Sequence, residues 1–446
     1  MDIFVYLELL LTFSSWAVFL TLNYFYNIVR GLIWRVNGIN RQLVTNKKPE
    51  NYKTSAHVKR ILFRYTIGRY IRYPESLFVT VHEGFVHPER VLEDDCSFYA
   101  IDSKEAVFIQ VDSQPDDMFV HDLFNHKQFH CAVKLITIPL NHFNKLAEQL
   151  EDVGARIIFL YKQTRCGGTL VTSLFRETGR CVCFNEPTCF SIVCKRIFSD
   201  NIWHGATARR VFRNTVRVLC KPYKILGENT LAYIIKPMFT DTITMEMAEE
   251  VFPNAFLFFI YRNPIHVAIS LRRIGQVIKL FKLIIYLPNF ANIVANIFEL
   301  TGLHNMEYRG WTCTIHPEFE FGYRATCFTV YYYLQALKHG VKIRGLRYED
   351  LVANEMQIIK NIFQLCQLPD SFLEKAILKQ VHQSVGINFG MPFQILQNYH
   401  WDSWLLLVLC RKSLVYLLQI CTMIKHFVYP TAWNHDVASP LTKDTL

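Results

Sequence analysis

The sequence predicts an α/β fold: a parallel sheet flanked by helices in three layers, with an N-terminal membrane helix and a small strand-rich accessory region ahead of it. Three observations carry that prediction. From Ala155 onward, apolar runs of strand length alternate with helical patterns, at Ile157 to Leu160, Leu231 to Ile235, Ala255 to Tyr261 and Val341 to Leu346. Such alternation builds a parallel sheet with helices on both faces, and ligands then bind at the carboxyl ends of the strands. Leu9 to Val29 is free of charge and long enough as a helix to cross about 30 Å of hydrocarbon. Between these parts, "SLFVTVHEGFV" and "CSFYAIDSKEAVFIQVD" carry the β-branched and aromatic bias of strands, with a polar turn inside the second. The chain divides accordingly into an anchor and flank at 1–35, an accessory region at 36–150, an α/β domain at 151–395 and an apolar, basic helical tail at 396–446.

Bulk properties narrow the class. At 446 residues and 51% hydrophobic, the chain buries a large core and is not a disordered protein. A net charge of +10 favours anionic partners. The basic residues are spread in twos and threes, which argues for pockets and membrane flanks and against a nucleic-acid stripe. Thirteen cysteines in a chain of this length do not make a disulfide scaffold. The nearest pairs, Cys181 with Cys183 and Cys189 with Cys194, lack zinc spacing, so no metal is expected. No Asn-x-Ser/Thr acceptor occurs, which favours a catalytic portion facing the cytosol with reduced thiols.

In the N-terminal segment, Trp16, Tyr24 and Tyr26 suit the membrane interfaces. Asp2 and Glu8 stand where a cleaved signal peptide would carry basic residues. Arg30, Arg35, Arg41, Lys47 and Lys48 follow the apolar run, and the positive-inside rule then puts the bulk of the protein in the cytosol. A buried core helix is the alternative, given Ser14, Ser15, Asn23 and Asn27. Two later apolar stretches, Leu283 to Phe298 with Pro288 inside it and Trp404 to Ile424 with Arg411 and Lys412, are interrupted. Each either lies on a membrane or packs as a core helix.

The chemistry gathers at the strand ends. After Ile157 to Leu160 comes "YKQTRCGGTL", a strand-to-helix turn whose glycines let backbone N–H groups approach an anion. It is not a Walker A loop, since that spacing and its lysine are missing. "LAYIIKPMF" sets Lys236 just past a strand, "FIYRNPIHVAIS" sets Arg262 and Ser270 eight residues apart, and "LRYEDLV" ends the last strand. Cations and hydroxyls at one end of one sheet form a polyanion site, for which guanidinium forks are suited. Tyr348, Glu349 and Asp350 are expected to cap the following helix and pack the core. His204, His266 and His316 read as structural.

This set resembles the sulfotransferases that use 3′-phosphoadenosine 5′-phosphosulfate (PAPS), which have a P-loop-like fold. "TRCGGTL" is similar to their phosphosulfate loop, commonly R-S-G-T-T-L, and the Arg262 to Ser270 spacing is similar to their 3′-phosphate motif. The likeness spans Arg156 to Leu368, and its nearest form is the membrane-bound branch that includes tyrosylprotein sulfotransferases. The resemblance implies a donor site of Arg165, Cys166, Gly167, Gly168, Thr169 and Leu170 around the 5′-phosphosulfate, with Arg262 and Ser270 on the 3′-phosphate. It implies Lys236 at the bridging oxygen, and Glu186, twenty-one residues after Arg165, as the base whose pKa partial burial raises. The implied partners are PAPS, a hydroxyl acceptor (carbohydrate, lipid, small molecule or peptide tyrosine) and a membrane, entered as a single-pass or monotopic protein; a homodimer is allowed. Members of that branch face the lumen of the Golgi or another endomembrane, so the side of the membrane stays open. Cys166 and Gly168 depart from the usual Ser and Thr, which removes one hydroxyl contact. A catalytically impaired binding or scaffold protein is therefore the alternative function, and a nucleotide phosphotransferase is disfavoured by the missing Walker lysine. The acceptor pocket is expected in a variable segment such as Lys279 to Arg309.

Overall fold

The computed structural model describes residues 3–66, 73–112, 124–224, 230–267, 269–270 and 317–369. The interrupted stretches Leu283 to Phe298 and Trp404 to Ile424, the segment Lys279 to Arg309, His316 and the tail at 396–446 lie outside the described residues.

The accessory region forms an antiparallel five-stranded sheet. Its order is β2 (Phe78–Val86), β1 (Ala56–Arg64), β5 (Ala132–Pro139), β4 (Glu105–Val111) and β3 (Cys96–Ile101). β2, β3 and β4 fall where the β-branched bias predicts strands. β1 reads "AHVKRILFR", and its charges hid a strand that pairs on both sides.

The N-terminal segment is helical over Ile3–Val36, and the expected membrane span finds no support in it. Among the described residues no helix is long and apolar enough to cross a membrane. Polar residues within the helix are committed to the first sheet. Asn23 Nδ2 donates to Ser76 O at 3.0 Å, Tyr26 Oη to Thr80 O at 2.9 Å and Arg30 Nη1 to Thr80 Oγ1 at 3.0 Å. Phe19 is buried and stacks on Tyr65 with ring centroids 4.6 Å apart.

The second sheet is wholly parallel, in the order β10 (Ile343–Arg347), β9 (Phe256–Tyr261), β6 (Arg156–Lys162), β8 (Ala232–Lys236) and β7 (Cys181–Asn185). Four of these are the strands predicted from apolar runs; β7, "CVCFN", is the fifth. β6 is central, with β8 on one side and β9 on the other; the chain leaves β6 towards β7 but leaves the adjacent β9 towards β10, so two neighbouring strands connect to opposite sides of the sheet. That is where an open parallel sheet leaves a crevice for a ligand.

The two-residue period of a strand separates the two faces of this sheet. Ile158, Leu160, Ile234, Cys183, Phe258 and Ile260 face a core that includes Val171 and Phe175 of the helix Gly168–Glu177 and Phe363 of the helix Glu355–Leu365. On the other face, Phe159 meets Phe190, which meets Phe212, while Phe259 stacks on Tyr333 at 4.4 Å. The three layers follow from that division. Lys221 joins the two sheets: its buried ammonium donates to the carbonyls of Val91 at 2.8 Å, Glu93 at 2.6 Å and Cys96 at 2.8 Å.

Candidate active site

The turn after β6 is built for a charged ligand. Gln163 N donates to Ile260 O at 2.9 Å and Gln163 Oε1 accepts from Arg262 N at 2.9 Å, so one buried glutamine fastens the start of the turn to the end of β9. Arg165 then takes φ 57° and Gly167 φ 86°. An L side chain in the left-handed region is strained, and alternation of this kind turns successive N–H groups inward as an anion nest. Glu186, at the end of β7, shares the strain at φ 58°. Arg165 and Glu186 are two of only four non-glycine residues with positive φ among those described, and stored strain of this sort gathers at functional sites. The helix Gly168–Glu177 starts immediately after the turn, so its first-turn amides and the positive end of its dipole point at the same space.

The structure brings the predicted residues together. Lys236 Nζ lies 3.1 Å from Thr169 Oγ1, Arg165 Nε 3.0 Å from Ser270 Oγ, and Arg262 Nη1 3.2 Å from Arg165 O. Glu186 N donates to Lys236 O at 2.8 Å, which joins the ends of β7 and β8. Within this group Arg165 sits differently from the expectation. Its guanidinium reaches Ser270, so it stands with Arg262 at one pole, whereas Lys236 and Thr169 form the other.

Cys166 also differs. Its thiol is buried against the core, with Sγ 2.9 Å from Gln163 O, and burial pushes its pKa up to about 11. It offers the site backbone and no side chain. Gly167 lies under the Tyr348 ring, where an added Cβ would be 2.6 Å from Cδ2. That ring in turn carries the Arg262 guanidinium 4.3 Å from its centroid. Glu349 Oε1 accepts from Asn263 N at 3.1 Å; burial works to raise its carboxyl, and the Asn263 and Glu349 amides with Arg347 and Arg262 hold it below the usual range. Tyr348 and Glu349 thus hold the Arg262 turn in place, whereas the predicted capping is not what they do: the helix Tyr348–Ala353 has Arg347 as its N-cap and no side-chain capping bond.

The sequence pattern did not single out Lys162, Gln163 or Asn185. Lys162 Nζ is 2.7 Å from Glu186 Oε1. Burial works to lower this lysine's pKa, but Glu186, Cys166 and Asp241 together outweigh it and the net direction is up. A cation therefore already faces the carboxylate expected to act as the base. Lys162 also accounts for the departure at Gly168: a Cβ there would lie 2.8 Å from Lys162 Cδ and 3.4 Å from Lys236 Cδ. A threonine there would require the Lys162 stem to move. The signal was present in the sequence, since Lys162 continues the buried phase of Ile158 and Leu160. Asn185 is 1% exposed with both amide atoms unpartnered, and it pairs in register with Lys236. No group of three or more metal-ligating side chains occurs among the described residues.

No family model matches the sequence, and no curated protein matches it. Among the solved structures that resemble it are sulfotransferases. One is sulfotransferase STF9 from Mycobacterium avium, at 10% identity over 60% of this chain and 76% of that one, with a TM-score of 0.33. Another is the sulfotransferase domain from the curacin biosynthetic pathway, at 15% identity over 48% and 75%, with a TM-score of 0.29. A third is a sulfotransferase from Alicyclobacillus acidocaldarius, at 11% identity over 48% and 82%, with a TM-score of 0.28. Likeness this distant carries no weight for chemistry; the convergent cations carry it instead.

Proposed function

We propose that the protein is a sulfotransferase that takes a sulfuryl group from PAPS and places it on a hydroxyl acceptor. The observation that carries this reading is the meeting of three separate strand-end segments at one anion cradle, with Lys236 on Thr169, Arg165 on Ser270 and Arg262 on the Arg165 carbonyl. The two poles suit a doubly phosphorylated nucleotide: arginines and Ser270 for the 3′-phosphate, the loop amides, Thr169 and Lys236 for the 5′ end. The unpartnered Asn185 amide fits an additional polar group at the 5′ end.

The donor supplies an activated sulfuryl group: its bond to the 5′-phosphate oxygen breaks with the electron pair left on phosphate, as a new bond forms to the acceptor oxygen. The chain's own part is positioning and charge neutralisation. Lys236 meets the growing charge on the phosphate, Arg262 and Ser270 fix the far end, and Glu186 takes the acceptor's proton on its carboxylate. The reading is tested with purified protein. Adenosine 3′,5′-bisphosphate should raise the melting temperature while ATP with magnesium does not, and labelled sulfate from PAPS should appear on an acceptor. Glu186→Gln should abolish transfer and keep nucleotide binding. The ion pair on Glu186 favours a second reading, an impaired binding protein; nucleotide binding with no transfer to any acceptor class would establish it.

Membrane association belongs to the same proposal as a surface contact of the N-terminal helix. Leu7, Leu10, Leu11, Val18, Leu22 and Phe25 are exposed on it, and Arg35, Arg41, Lys47 and Lys48 follow, also exposed. An apolar helix face beside a basic flank fits an anionic lipid surface. Co-flotation with phosphatidylserine vesicles, lost in Leu11→Glu/Val18→Glu/Phe25→Glu, is the expected result; flotation unaffected by those changes would refute it.

A further inference from the structure

Lys162 is the cation that the mechanism above leaves without a task. It lies on the same sheet face as Lys236 and Asn185, since all three continue the phase of core residues Leu160, Ile234 and Cys183 on neighbouring strands. Its stem passes under Gly168, and its ammonium reaches Glu186. Two features of the surroundings bear on what it does. The Arg165 and Arg262 guanidinium groups stand at the Ser270 pole and over Tyr348, so the 5′ pole relies on lysines. A sulfuryl group in transfer spreads charge over three outer oxygens as well as the bridging one, more than Lys236 alone covers. Glu186, for its part, is a weak base for as long as an ammonium neutralises it.

We propose that Lys162 exchanges partners during the reaction: before the donor binds it pairs with Glu186, and with the donor in place it turns to the outer oxygens of the sulfuryl group and leaves the Glu186 carboxylate to the acceptor's proton. This rests on the sulfotransferase reading. Both positions lie within reach of one side chain, because the stem already sits beneath the loop that would hold the donor. The exchange makes the base strong only when a sulfuryl group is present to be transferred. It also gives a reason for glycine at 168, which leaves the path of the lysine open. The unpartnered Asn185 amide beside Lys236 provides a further donor for the same oxygens.

Calorimetric titration with PAPS and with adenosine 3′,5′-bisphosphate tests this without an acceptor. Lys162→Met should weaken PAPS by about tenfold more than the bisphosphate, because only PAPS carries the sulfuryl oxygens. Glu186→Gln frees Lys162 and should tighten PAPS relative to the bisphosphate, and that gain should vanish in the double variant. Lys162→Arg should keep the preference for PAPS, which separates loss of the cation from loss of the fold. Equal losses for the two nucleotides in Lys162→Met, or no relative gain in Glu186→Gln, would make the ion pair purely structural and overturn the exchange. Binding of neither nucleotide by the unaltered protein would instead defeat the sulfotransferase reading itself.

Discussion

The two sheets treat buried charge in opposite ways. In the antiparallel sheet and its seam, each cation has a structural partner: Lys59 pairs with Glu75 at 3.0 Å, Arg90 with Asp95, Arg64 with the carbonyls of Phe129, His130 and Ala132, and Lys221 with three more carbonyls. At the carboxyl end of the parallel sheet, Lys162, Lys236, Arg165 and Arg262 gather around one loop, with Glu186 as the carboxylate on Lys162. Arg165 and Glu186 are strained and Asn185 has no partner. Satisfied charge locks an architecture, whereas cations gathered in excess at a sheet's carboxyl end are what a polyanionic ligand requires.

That contrast can be broken by substitution, and the largest expected effect is on turnover. Lys236→Met should lower transfer of labelled sulfate by roughly a thousandfold with little change in melting temperature; unchanged transfer would remove Lys236 from the reaction. Lys221→Met should act in the opposite sense. It strands three buried carbonyls and should cost about 3 kcal/mol in urea unfolding, while affinity for adenosine 3′,5′-bisphosphate stays constant. A drop in that affinity at full stability would erase the distinction between the two regions.

A pH effect should belong to the first sheet. His57 sits between His82, with Nε2 to Nδ1 at 2.9 Å, and the stacked Phe85. Burial, then Lys59, His82 and Arg30, lower its pKa from 6.5 to about 3. Between those values the unfolded chain binds a proton that the folded one refuses, so stability rises with pH through this window and is flat above 6.5. Acidification to pH 4 should therefore cost about 3 kcal/mol, and His57→Gln should flatten the profile. The smallest effect concerns the loop. Gly168→Thr should cost about 2 kcal/mol through collision with the lysine stems, and much of that should return in a Lys162→Ala background. Full tolerance of the threonine alone would show that the stems yield.

Much of the parallel sheet was legible because its strands are nearly uninterrupted apolar runs, as strands covered on both faces must be. β1 and β7 escaped for separate reasons: "AHVKRILFR" interleaves charge with apolar residues, and "CVCFN" is short and rich in cysteine. Arg165, Thr169, Lys236, Arg262 and Ser270 were legible by spacing after strands, and they meet. Lys162 was hidden inside an apolar run, where a lysine looks like a strand's frayed end until its partner on β7 is known. The N-terminal helix was legible as a helix. Its docking was not, because Asn23, Tyr26 and Arg30 reveal their role only beside the carbonyls and hydroxyl of β2 and the turn before it.

The central claim is that a single nucleotide bridges the two cationic poles. A crystal structure with adenosine 3′,5′-bisphosphate tests it most directly. The 5′-phosphate should lie in the turn from Arg165 to Thr169 above Lys236, and the 3′-phosphate between Arg262 and Ser270. A nucleotide bound elsewhere, or a cradle left empty at saturating concentration, would contradict it.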